Sequence, residues 1–390
     1  MRSIKDADVK GKRIFVRGDL NVPLKEGEVR DNTRIVALLP TIKYLVENGS
    51  KVILASHLGR PKGKVVPELS LKPVYEELKK LLPSTNIYFV NDCVGEEVKN
   101  KVNELKEGEI LLLENLRFHP EEEKNDENFA KELASLADIF VQDAFGTVHR
   151  AHASTVGIAK FLPSYAGFLL EKEVKFLSKV TENPEKPFIA IIGGAKISTK
   201  IGVIENLLKK VDKLLIGGAM AYTFLKKKGK NIGKSLCEDE YLEVAGKVLD
   251  NAEDKLLLPL DHIVTDNIDE PKRIENTPDE NIPDDMIGVD IGTKTISEYA
   301  ETIKEAKTVF WNGPLGVFEK DEFSKGTREI GKIVAELTEK GTVTVVGGGD
   351  SVAAVKKENL QDKISHISTG GGASLEFVEG KKLPGLEVLE

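Results

Sequence analysis

The segment VVGGGDSVAA (residues 345–354) places an apolar run directly before three glycines, an aspartate and a run of helix-forming residues. Each glycine costs conformational entropy on folding, so three in succession indicate a place where the backbone itself is needed. A buried strand followed at once by a helix is typical of parallel α/β sheets, which bind ligands at the carboxyl ends of their strands. The segment therefore predicts an α/β fold with a functional site at the glycines.

The same strand-then-helix pattern recurs along the chain in two series. Short runs of β-branched residues and leucine predict buried parallel strands, and the amphipathic stretches between them predict helices. The predicted strands are RIFV (13–16), KVILAS (51–56), EILLLEN (109–115) and IFVQDA (139–144), then FIAIIGG (188–194), KLLIGG (213–218), TVFWNG (308–313), VTVVGGG (343–349) and ISHISTGGG (364–372). We therefore predict two doubly wound parallel-sheet domains of the Rossmann-like kind.

A long amphipathic stretch between the two series marks the predicted domain boundary. It runs FLLEKEVKFLSKV (168–180) and is followed by TENPEKP (181–187), whose prolines terminate a helix. The acidic, proline-containing segment 266–285 is predicted to be an exposed excursion from the second domain. The predicted parts are an N-terminal domain over 1–170, an interdomain helix and linker over 171–187 and a C-terminal domain over 188–372.

The composition is that of a soluble globular protein long enough for two domains. Of its 390 residues, 40% are hydrophobic and 31% are charged. The net charge of -8 disfavours a surface for nucleic acid, and no apolar run approaches the ~18 residues of a membrane span. The amino terminus has no apolar signal core, and two distant cysteines without metal-type spacing suit a reducing compartment. We therefore expect a cytoplasmic protein with no nucleic-acid or membrane partner.

The strand ends of the first series carry arginine and histidine. Eight of the ten arginines lie in the first 150 residues. A single arginine is most often part of a surface salt bridge, but arginines at four strand ends indicate a site for a small, multiply charged anion. The motifs that follow the strands are RGDLNVP (17–23), SHLGRP (56–61), ENLRF (114–118) and QDAFGTVHRAHAS (142–154).

Several polar side chains in these motifs have two interpretations. Asp19 and Asn21 either cap a turn or hold a substrate hydroxyl. His57, His149 and His152 are candidates for metal ligation or base catalysis, but no cysteine or carboxylate cluster at ligand spacing accompanies them. We therefore favour anion binding or structural roles for the three histidines.

The strand ends of the second series are rich in glycine instead. Glycines that open a helix expose unpaired N–H groups at the positive end of the helix dipole, which together bind phosphate. Asp350 is either the N-cap of a helix beginning at Ser351 or a carboxylate that holds magnesium beside a polyphosphate. Lys196 and Lys200 are four residues apart, which predicts that they share a helical face and point at one anion. The motifs are GGAKISTK (193–200), GGAMA (217–221), NGPLGVFE (312–319), GGGDS (347–351) and TGGGAS (369–374).

Two familiar nucleotide-binding signatures are absent. GKNIGKS (229–235) has three residues where the P-loop pattern requires four, and it follows no clear strand. No Gly-x-Gly-x-x-Gly fingerprint opens either series, which weakens the case for a two-domain NAD-dependent dehydrogenase.

An arginine-rich anion site and a glycine-rich polyphosphate site together favour phosphoryl transfer. No strong general-base candidate is present, which would hinder transfer to a hydroxyl group. A carboxylate acceptor needs no base because it is already ionised at pH 7. The remaining catalytic need is to position the reactants and neutralise their charge.

The motifs resemble those of the phosphoglycerate kinase family, in the same order and spacing along essentially the whole chain. The resemblance implies the reversible reaction of 1,3-bisphosphoglycerate with ADP to give 3-phosphoglycerate and ATP, with Mg²⁺, in glycolysis and gluconeogenesis. The matching motifs are VRGDLNVP, SHLGRP, ENLRF, HRAHAS, IIGGAKISTKI, WNGPLGVFE, VVGGGDS and ISTGGGAS.

The resemblance also implies roles for individual residues. Arg34 would face the transferring group, Lys196 would stabilise its charge, and the amides of Gly371 and Gly372, with that of Gly370, would meet it from the opposite side. Phosphoglycerate would be held by Asp19, Asn21, Arg34, His57, Arg60, Arg117 and Arg150. The nucleotide would be held by Lys200, Gly217, Gly218, Gly292, Asn312, Glu319, Gly348, Gly349, Asp350 and Ser351, with Asp350 also serving the metal.

Substrates held on separate domains react only when they meet, so the resemblance implies direct in-line transfer with hinge closure. It further implies a monomer whose C-terminal tail, about 373–390, returns to the first domain. Two alternatives remain at this point. One is a kinase for a different carboxylate, and the other is a non-catalytic sensor of nucleotide and a phosphorylated acid.

Overall fold

The computed structural model describes residues 1–390, which divide into two compact units. The first unit comprises residues 1–174 and 382–390, and the second comprises residues 175–381. The predicted amphipathic helix between the two strand series is confirmed as Phe168–Thr181, and it runs across the division. Residues 373–381, at the start of the predicted returning tail, are therefore in the second unit.

The first unit contains a six-stranded parallel sheet with the order β5-β6-β4-β1-β7-β8. Its strands are β1 (Arg13–Gly18), β4 (Lys51–Ala55), β5 (Ile87–Phe89), β6 (Ile110–Leu112), β7 (Ile139–Asp143) and β8 (Ser164–Ala166), and β2 (Leu24–Lys25) and β3 (Glu28–Val29) form a separate hairpin. The helices are α1 (Thr33–Glu47), α2 (Lys72–Leu81), α3 (Glu96–Glu104), α4 (Pro120–Glu123), α5 (Glu127–Ala134) and, near the carboxyl end of the chain, α14 (Pro384–Glu387). Helix α6 (Phe168–Thr181) begins in this unit and ends in the second.

Both faces of this sheet are buried, which explains why its strands are continuous apolar runs in the sequence. Ile14 and Val16 of β1 pack on one side with α1 and α2. Phe15 packs on the other side with α3 and α5. With its faces covered, the sheet presents the carboxyl ends of its strands to ligands.

The second unit contains a six-stranded parallel sheet with the order β11-β10-β9-β15-β16-β17. Its strands are β9 (Phe188–Ile192), β10 (Lys213–Ile216), β11 (Leu256–Leu257), β15 (Thr308–Asn312), β16 (Val343–Gly347) and β17 (His366–Ile367). The helices are α7 (Ile201–Leu208), α8 (Met220–Lys227), α9 (Leu242–Ala252), α10 (Thr293–Ile303), α11 (Lys325–Glu339), α12 (Gly349–Lys357) and α13 (Gly372–Val378). The prediction of two parallel-sheet α/β domains is confirmed.

The second unit also contains a small antiparallel sheet, which the sequence did not predict. It consists of β12 (His262–Thr265), β13 (Ile274–Asn276) and β14 (Ile287–Ile291) in the order β13-β12-β14. The segment 266–285 is largely exposed, as predicted, but it contains β13 and is therefore not purely a loop.

None of the helices is both long and apolar enough to cross a membrane.

Candidate functional site

An open pocket of about 480 Å³ lies at the strand ends of the first unit. It combines residues from the loops after β1, β4, β6 and β7, which the parallel sheet brings to one edge. The lining residues are Asn21, Gly59, Arg60, Lys62, Arg117, Glu123, His149 and Arg150. Four basic side chains against one carboxylate make the pocket suited to a multiply charged anion.

Arg34, at the start of α1, is tied to the loop after β1. Its Nη1 donates to the carbonyl oxygen of Asn21 at 2.7 Å and lies 3.5 Å from Asp19 Oδ1. The Oδ1 of Asn21 accepts a hydrogen bond from the backbone N–H of Gly59 at 2.9 Å. These contacts hold Asp19, Asn21 and Arg34 together beside the pocket.

Arg117 is held by the backbone of the neighbouring loop. Its Nη1 donates to the carbonyl of Gly59 at 3.2 Å, and its Nε lies 3.4 Å from Glu123 Oε1. Asn115 accepts from the backbone N–H of Arg117 at 3.0 Å and donates to the carbonyl of Leu58 at 2.8 Å. Burial lowers the pKa of Arg117, but its guanidinium stays charged in proteins.

His57 does not line the pocket but lies buried among the cationic groups. Arg17, which is fully buried, donates from Nη2 to His57 Nδ1 at 3.0 Å. Burial, followed by the charges of Arg17, Arg117 and Arg34, lowers the pKa of His57 well below its usual value. Burial and the same arginines Arg117 and Arg17 lower the pKa of His152 to about 4. Both histidines are therefore neutral at pH 7.

Two pockets of about 300 and 230 Å³ lie at the strand ends of the second unit and share Gly194, Ala195, Pro314 and Asp350. Unlike the pocket of the first unit, here called the arginine pocket, they are lined mostly by glycine and other uncharged residues. Of the predicted residues, the pockets include Lys196, Lys200, Gly218, Glu319, Gly348, Gly349, Asp350 and Ser351.

The helix after β16 begins earlier than the sequence analysis predicted. Gly348 is the N-cap with φ +93°, and α12 starts at Gly349. The interpretation of Asp350 as the N-cap is therefore wrong, and its exposed carboxylate lies in the first turn of the helix. No side chain caps this helix, and a Cβ added at Gly349 would meet nothing within 4 Å. The helix start is thus open to a ligand.

Lys196 and Lys200 line the same pocket but do not share a helical face. Lys196 has extended backbone (φ −125°, ψ 121°), a short 3-10 helix spans Ile197–Thr199, and α7 begins only after Lys200. The prediction of a common helical face is wrong because a short 3-10 turn, rather than an α-helix, separates the two lysines. Burial lowers the pKa of Lys200 to about 8, which Asp350 partly opposes.

Asn312 supports Lys200 from the end of β15. Its Oδ1 accepts a hydrogen bond from Lys200 Nζ, whereas its buried Nδ2 has no hydrogen-bond partner. The hydroxyl of Ser351 accepts from the backbone N–H of Gly313 at 2.5 Å. Both side chains thus shape the pocket floor around Gly348.

Other predicted glycines lie outside the pocket lining. A Cβ at Gly217 would approach Leu315 Cδ2 to 2.4 Å, and one at Gly292 would approach Asp261 Cγ to 2.2 Å, so both positions need glycine for close packing. Gly371, with φ +53°, is the N-cap of α13, whose first residue is Gly372.

The structure also assembles a group that the sequence analysis did not anticipate. Asp92, Cys93 and His119 place one potential metal-ligating atom each within 4.8 Å of one another. His119 Nε2 is hydrogen-bonded to Asp92 Oδ1 at 2.7 Å. Burial, followed by the charge of Asp92, raises the pKa of the Cys93 thiol well above its usual value, so this sulfur is a protonated core group at pH 7.

Two parallel α/β units, one with an arginine pocket and one with glycine-rich helix starts, define a class of protein. They are typical of an enzyme that transfers a phosphoryl group between a nucleotide and a small anion. The sequence contains no P-loop motif, so the chain does not match the P-loop kinases.

Comparison with known proteins identifies the family. The profile of the phosphoglycerate kinase family matches residues 4–381. Curated phosphoglycerate kinases from Borreliella afzelii and Thermosipho africanus are both 55% identical to the chain, over 100% and 98% of it and 99% and 96% of their own lengths. The chain belongs to the phosphoglycerate kinase family.

Solved structures agree with the sequence comparison. Phosphoglycerate kinase from Coxiella burnetii superposes with a TM-score of 0.89 at 43% identity, covering 99% of this chain and 97% of that one. Phosphoglycerate kinase from Pyrococcus horikoshii gives 0.86 at 34% identity, covering 100% and 98%.

Proposed function

We propose that the chain catalyses the reversible, Mg²⁺-dependent transfer of a phosphoryl group from 1,3-bisphosphoglycerate to ADP, giving 3-phosphoglycerate and ATP in glycolysis and gluconeogenesis. The observation that carries this proposal is the chemical contrast between the pockets of the two units. One pocket offers arginine side chains, and the other offers glycine backbone at helix starts. Membership of the family supports the assignment of the substrates.

The first unit supplies the phosphoglycerate site. Arg60, Arg117 and Arg150 neutralise the phosphate and carboxylate charges, because guanidinium groups bind both in a bidentate manner. Asp19 and Asn21 orient the glycerate hydroxyl, and neutral His57 donates a hydrogen bond rather than a charge. The acceptor carboxylate needs no general base, which agrees with the neutral histidines around it.

The second unit supplies the nucleotide site. The open start of α12 at Gly348 and Gly349 binds phosphate oxygens through backbone N–H groups, while Lys200 adds a positive charge. Glu319 lines the adjoining pocket, and in the proposal its carboxylate accepts hydrogen bonds from the ribose hydroxyls. Gly217, Gly292, Asn312 and Ser351 complete the nucleotide site in this proposal.

Asp350 fits the role of the Mg²⁺ residue. It is an exposed carboxylate in the first turn of α12, beside a stretch of backbone that no side chain covers. Oxygen ligands suit this cation, which neutralises phosphate charge when it is bound. In the proposal Asp350 holds the metal, directly or through water, and Lys200 contacts the phosphate.

The transfer step itself is assigned to residues from both units. Arg34 faces the transferring group, Lys196 stabilises its charge, and the amides of Gly371 and Gly372 bind its oxygens. Direct in-line transfer requires the acceptor oxygen and the phosphorus atom to meet, so hinge closure is part of the proposal. We also propose a cytoplasmic monomer, supported by the family resemblance and by the free state of Cys93 and Cys237.

ADP formation from Mg-ATP tests the proposal when it is measured with 3-phosphoglycerate, with glycerate, with acetate and with no acceptor. A coupled dehydrogenase removes the acyl phosphate product. The proposal predicts turnover that depends strictly on 3-phosphoglycerate. Turnover with acetate or glycerate alone would instead identify a kinase for another carboxylate, and binding of both ligands without turnover would identify a sensor.

A further inference from the structure

Four buried side chains form a hydrogen-bonded chain beneath the arginine pocket. They are Glu122 on α4, Ser154 in the loop after β7, Arg17 on β1 and His57 after β4. The exposed fractions are 0% for the first three and 5% for His57. Polar groups this deeply buried are costly unless each has a partner, so the pattern of donors and acceptors is informative.

The direction of every bond in this chain follows from the chemistry of its members. The Nε of Arg17 donates to Ser154 Oγ at 2.8 Å. Because that oxygen accepts from Arg17, its own proton is directed to Glu122 Oε2 at 2.5 Å. The backbone N–H of Ser154 donates to Glu122 Oε1 at 2.8 Å. Both carboxylate oxygens of Glu122 therefore accept hydrogen bonds from Ser154.

At the other end of this hydrogen-bonded series, Arg17 determines which nitrogen of His57 carries the proton. A guanidinium has no acceptor atom, so Arg17 Nη2 must be the donor to His57 Nδ1 at 3.0 Å. The Nδ1 atom then carries no proton, and neutral His57 carries its proton on Nε2. Glu122 Oε2 lies 3.9 Å from Arg17 Nη2 and balances the guanidinium charge in the interior.

We propose that Glu122 and Ser154 are positioning residues for phosphoglycerate binding. They hold Arg17 in the one orientation that keeps His57 in its Nε2–H tautomer, so that His57 acts as a neutral hydrogen-bond donor to the anion. This inference rests on the proposed function, which places His57 against phosphoglycerate. Neither residue touches the ligand, and their effect reaches it through Arg17 and His57.

The first test observes the tautomer directly in the unmutated protein. Long-range ¹H–¹⁵N spectra of histidine-labelled protein distinguish the two neutral tautomers and the imidazolium, and His57→Gln assigns the signal. The proposal predicts neutral His57 protonated on Nε2 at pH 7. A proton on Nδ1, or an imidazolium, would overturn it. This result does not depend on catalytic turnover.

The second test uses Glu122→Gln and Ser154→Ala, with Glu127→Gln and Ser135→Ala as matched controls on exposed positions of the neighbouring helix and its end. Loss of the hydrogen bond that His57 donates to the ligand corresponds to about a tenfold rise in KM for 3-phosphoglycerate. The KM for Mg-ATP is expected to stay unchanged, and the His57 spectrum is expected to show mixed tautomers.

Folded variants with an unchanged KM for 3-phosphoglycerate and an unchanged His57 signal would refute the positioning role. A KM that rises equally for both substrates, with the His57 tautomer intact, would also refute it by indicating a general structural effect. If the variants do not fold, the tautomer of His57 in the unmutated protein remains the test of the proposal. Absence of 3-phosphoglycerate-dependent turnover in the unmutated protein would contradict the proposed function instead.

Discussion

In both units the pockets lie at the carboxyl ends of the parallel strands, but the residues that line them differ in chemistry. In the first unit, charged side chains line the pocket, and Arg60, Arg117 and Arg150 reach it from separate loops. In the second unit, glycines leave the backbone at the start of α12 open, and Lys196 and Lys200 are the only cationic residues that line the pocket beside it. In the proposal, this difference suits charged side chains to a compact anion and successive backbone amides to an extended polyphosphate.

Arg34→Ala is expected to have the largest effect. In the proposal Arg34 faces the transferring group, so its loss is expected to lower kcat by about 10²- to 10³-fold, the cost of removing one preorganised charge-stabilising group. Binding of both ligands, measured by calorimetry, is expected to remain. Arg30→Ala is the matched control, because Arg30 is exposed outside the pocket. Lost phosphoglycerate binding with an unchanged kcat at saturation would contradict the transfer role.

Gly349→Ala separates binding by the backbone from stability. The added Cβ meets nothing within 4 Å, so the unfolding free energy is expected to stay the same or rise by about 0.5–1 kcal/mol. The same methyl group would occupy the space of a bound phosphate, and nucleotide affinity is expected to fall about tenfold. Denaturant unfolding and ADP titration measure the two effects.

Gly218→Ala provides the contrasting variant for that experiment. Gly218 has φ +72°, and a Cβ there would lie 2.5 Å from the carbonyl oxygen of Gly194. Its expected result is a loss of about 1–3 kcal/mol in unfolding free energy. Equal losses of stability in the Gly349 and Gly218 variants would show that the space around the first residue of α12 is not open.

Asp350→Asn tests the electrostatics of the second pocket. Asp350 raises the pKa of Lys200, which burial lowers to about 8, so its neutralisation is expected to lower that pKa further. A phosphate ligand prefers charged Lys200, so nucleotide affinity is expected to decline at a lower pH in the variant than in the unmutated protein. The Mg²⁺ requirement is expected to rise several-fold.

Nucleotide titrations between pH 6 and 9 measure this shift. Asp362→Asn, at an exposed position outside the pockets, is the control. If the pH dependence and Mg²⁺ requirement of the variant match those of the unmutated protein, Asp350 takes no part in nucleotide or metal binding.

Buried carboxylates extend the comparison to the interiors of the two units. Burial raises the pKa of Asp143 in the first unit to about 7 and that of Asp290 in the second to about 8. For Asp143, the folded state binds the proton more tightly than the unfolded state. Its contribution to stability is therefore fully present below pH 3.8 and is lost as the pH rises to about 7.

The smallest predicted effect concerns Asp143→Asn. Asparagine does not titrate, so the unfolding free energy of the variant relative to the unmutated protein should increase by about 1 kcal/mol between pH 5 and pH 6. Denaturant unfolding at both values measures the change. Asp8→Asn, on the exposed surface, should show no such change. A pH-independent difference for Asp143→Asn would mean that this carboxyl is ionised in the fold.

The sequence predicted the strands best where a run of apolar residues is long. The cores of β1, β4, β7, β9, β15 and β16 are continuous apolar runs, and their bounds follow the predicted segments closely. The short strands β5 and β8 and the small antiparallel sheet were missed because strands of three to five residues give no clear period. The same short signals led to the interpretation of segment 266–285 as a simple excursion.

The candidate site was predictable in its residue types but not in its buried contacts. The strand-end motifs located Arg60 and Arg117 because parallel strands end at one edge. The burial of Arg17 could not be foreseen, because its partner Glu122 is brought to it by a distant segment. The conformation between Lys196 and Lys200 depends on a 3-10 turn that the spacing alone does not distinguish from an α-helix.

The most direct test of the contrast between the pockets is an NMR titration of the labelled protein with each ligand separately. We predict that 3-phosphoglycerate shifts the guanidinium signals of Arg60, Arg117 and Arg150, and that Mg-ADP shifts the backbone amides of Gly348 and Gly349. Shifts of the glycine amides with 3-phosphoglycerate alone, or of the three guanidinium groups with Mg-ADP alone, would contradict the assignment of one ligand chemistry to each unit.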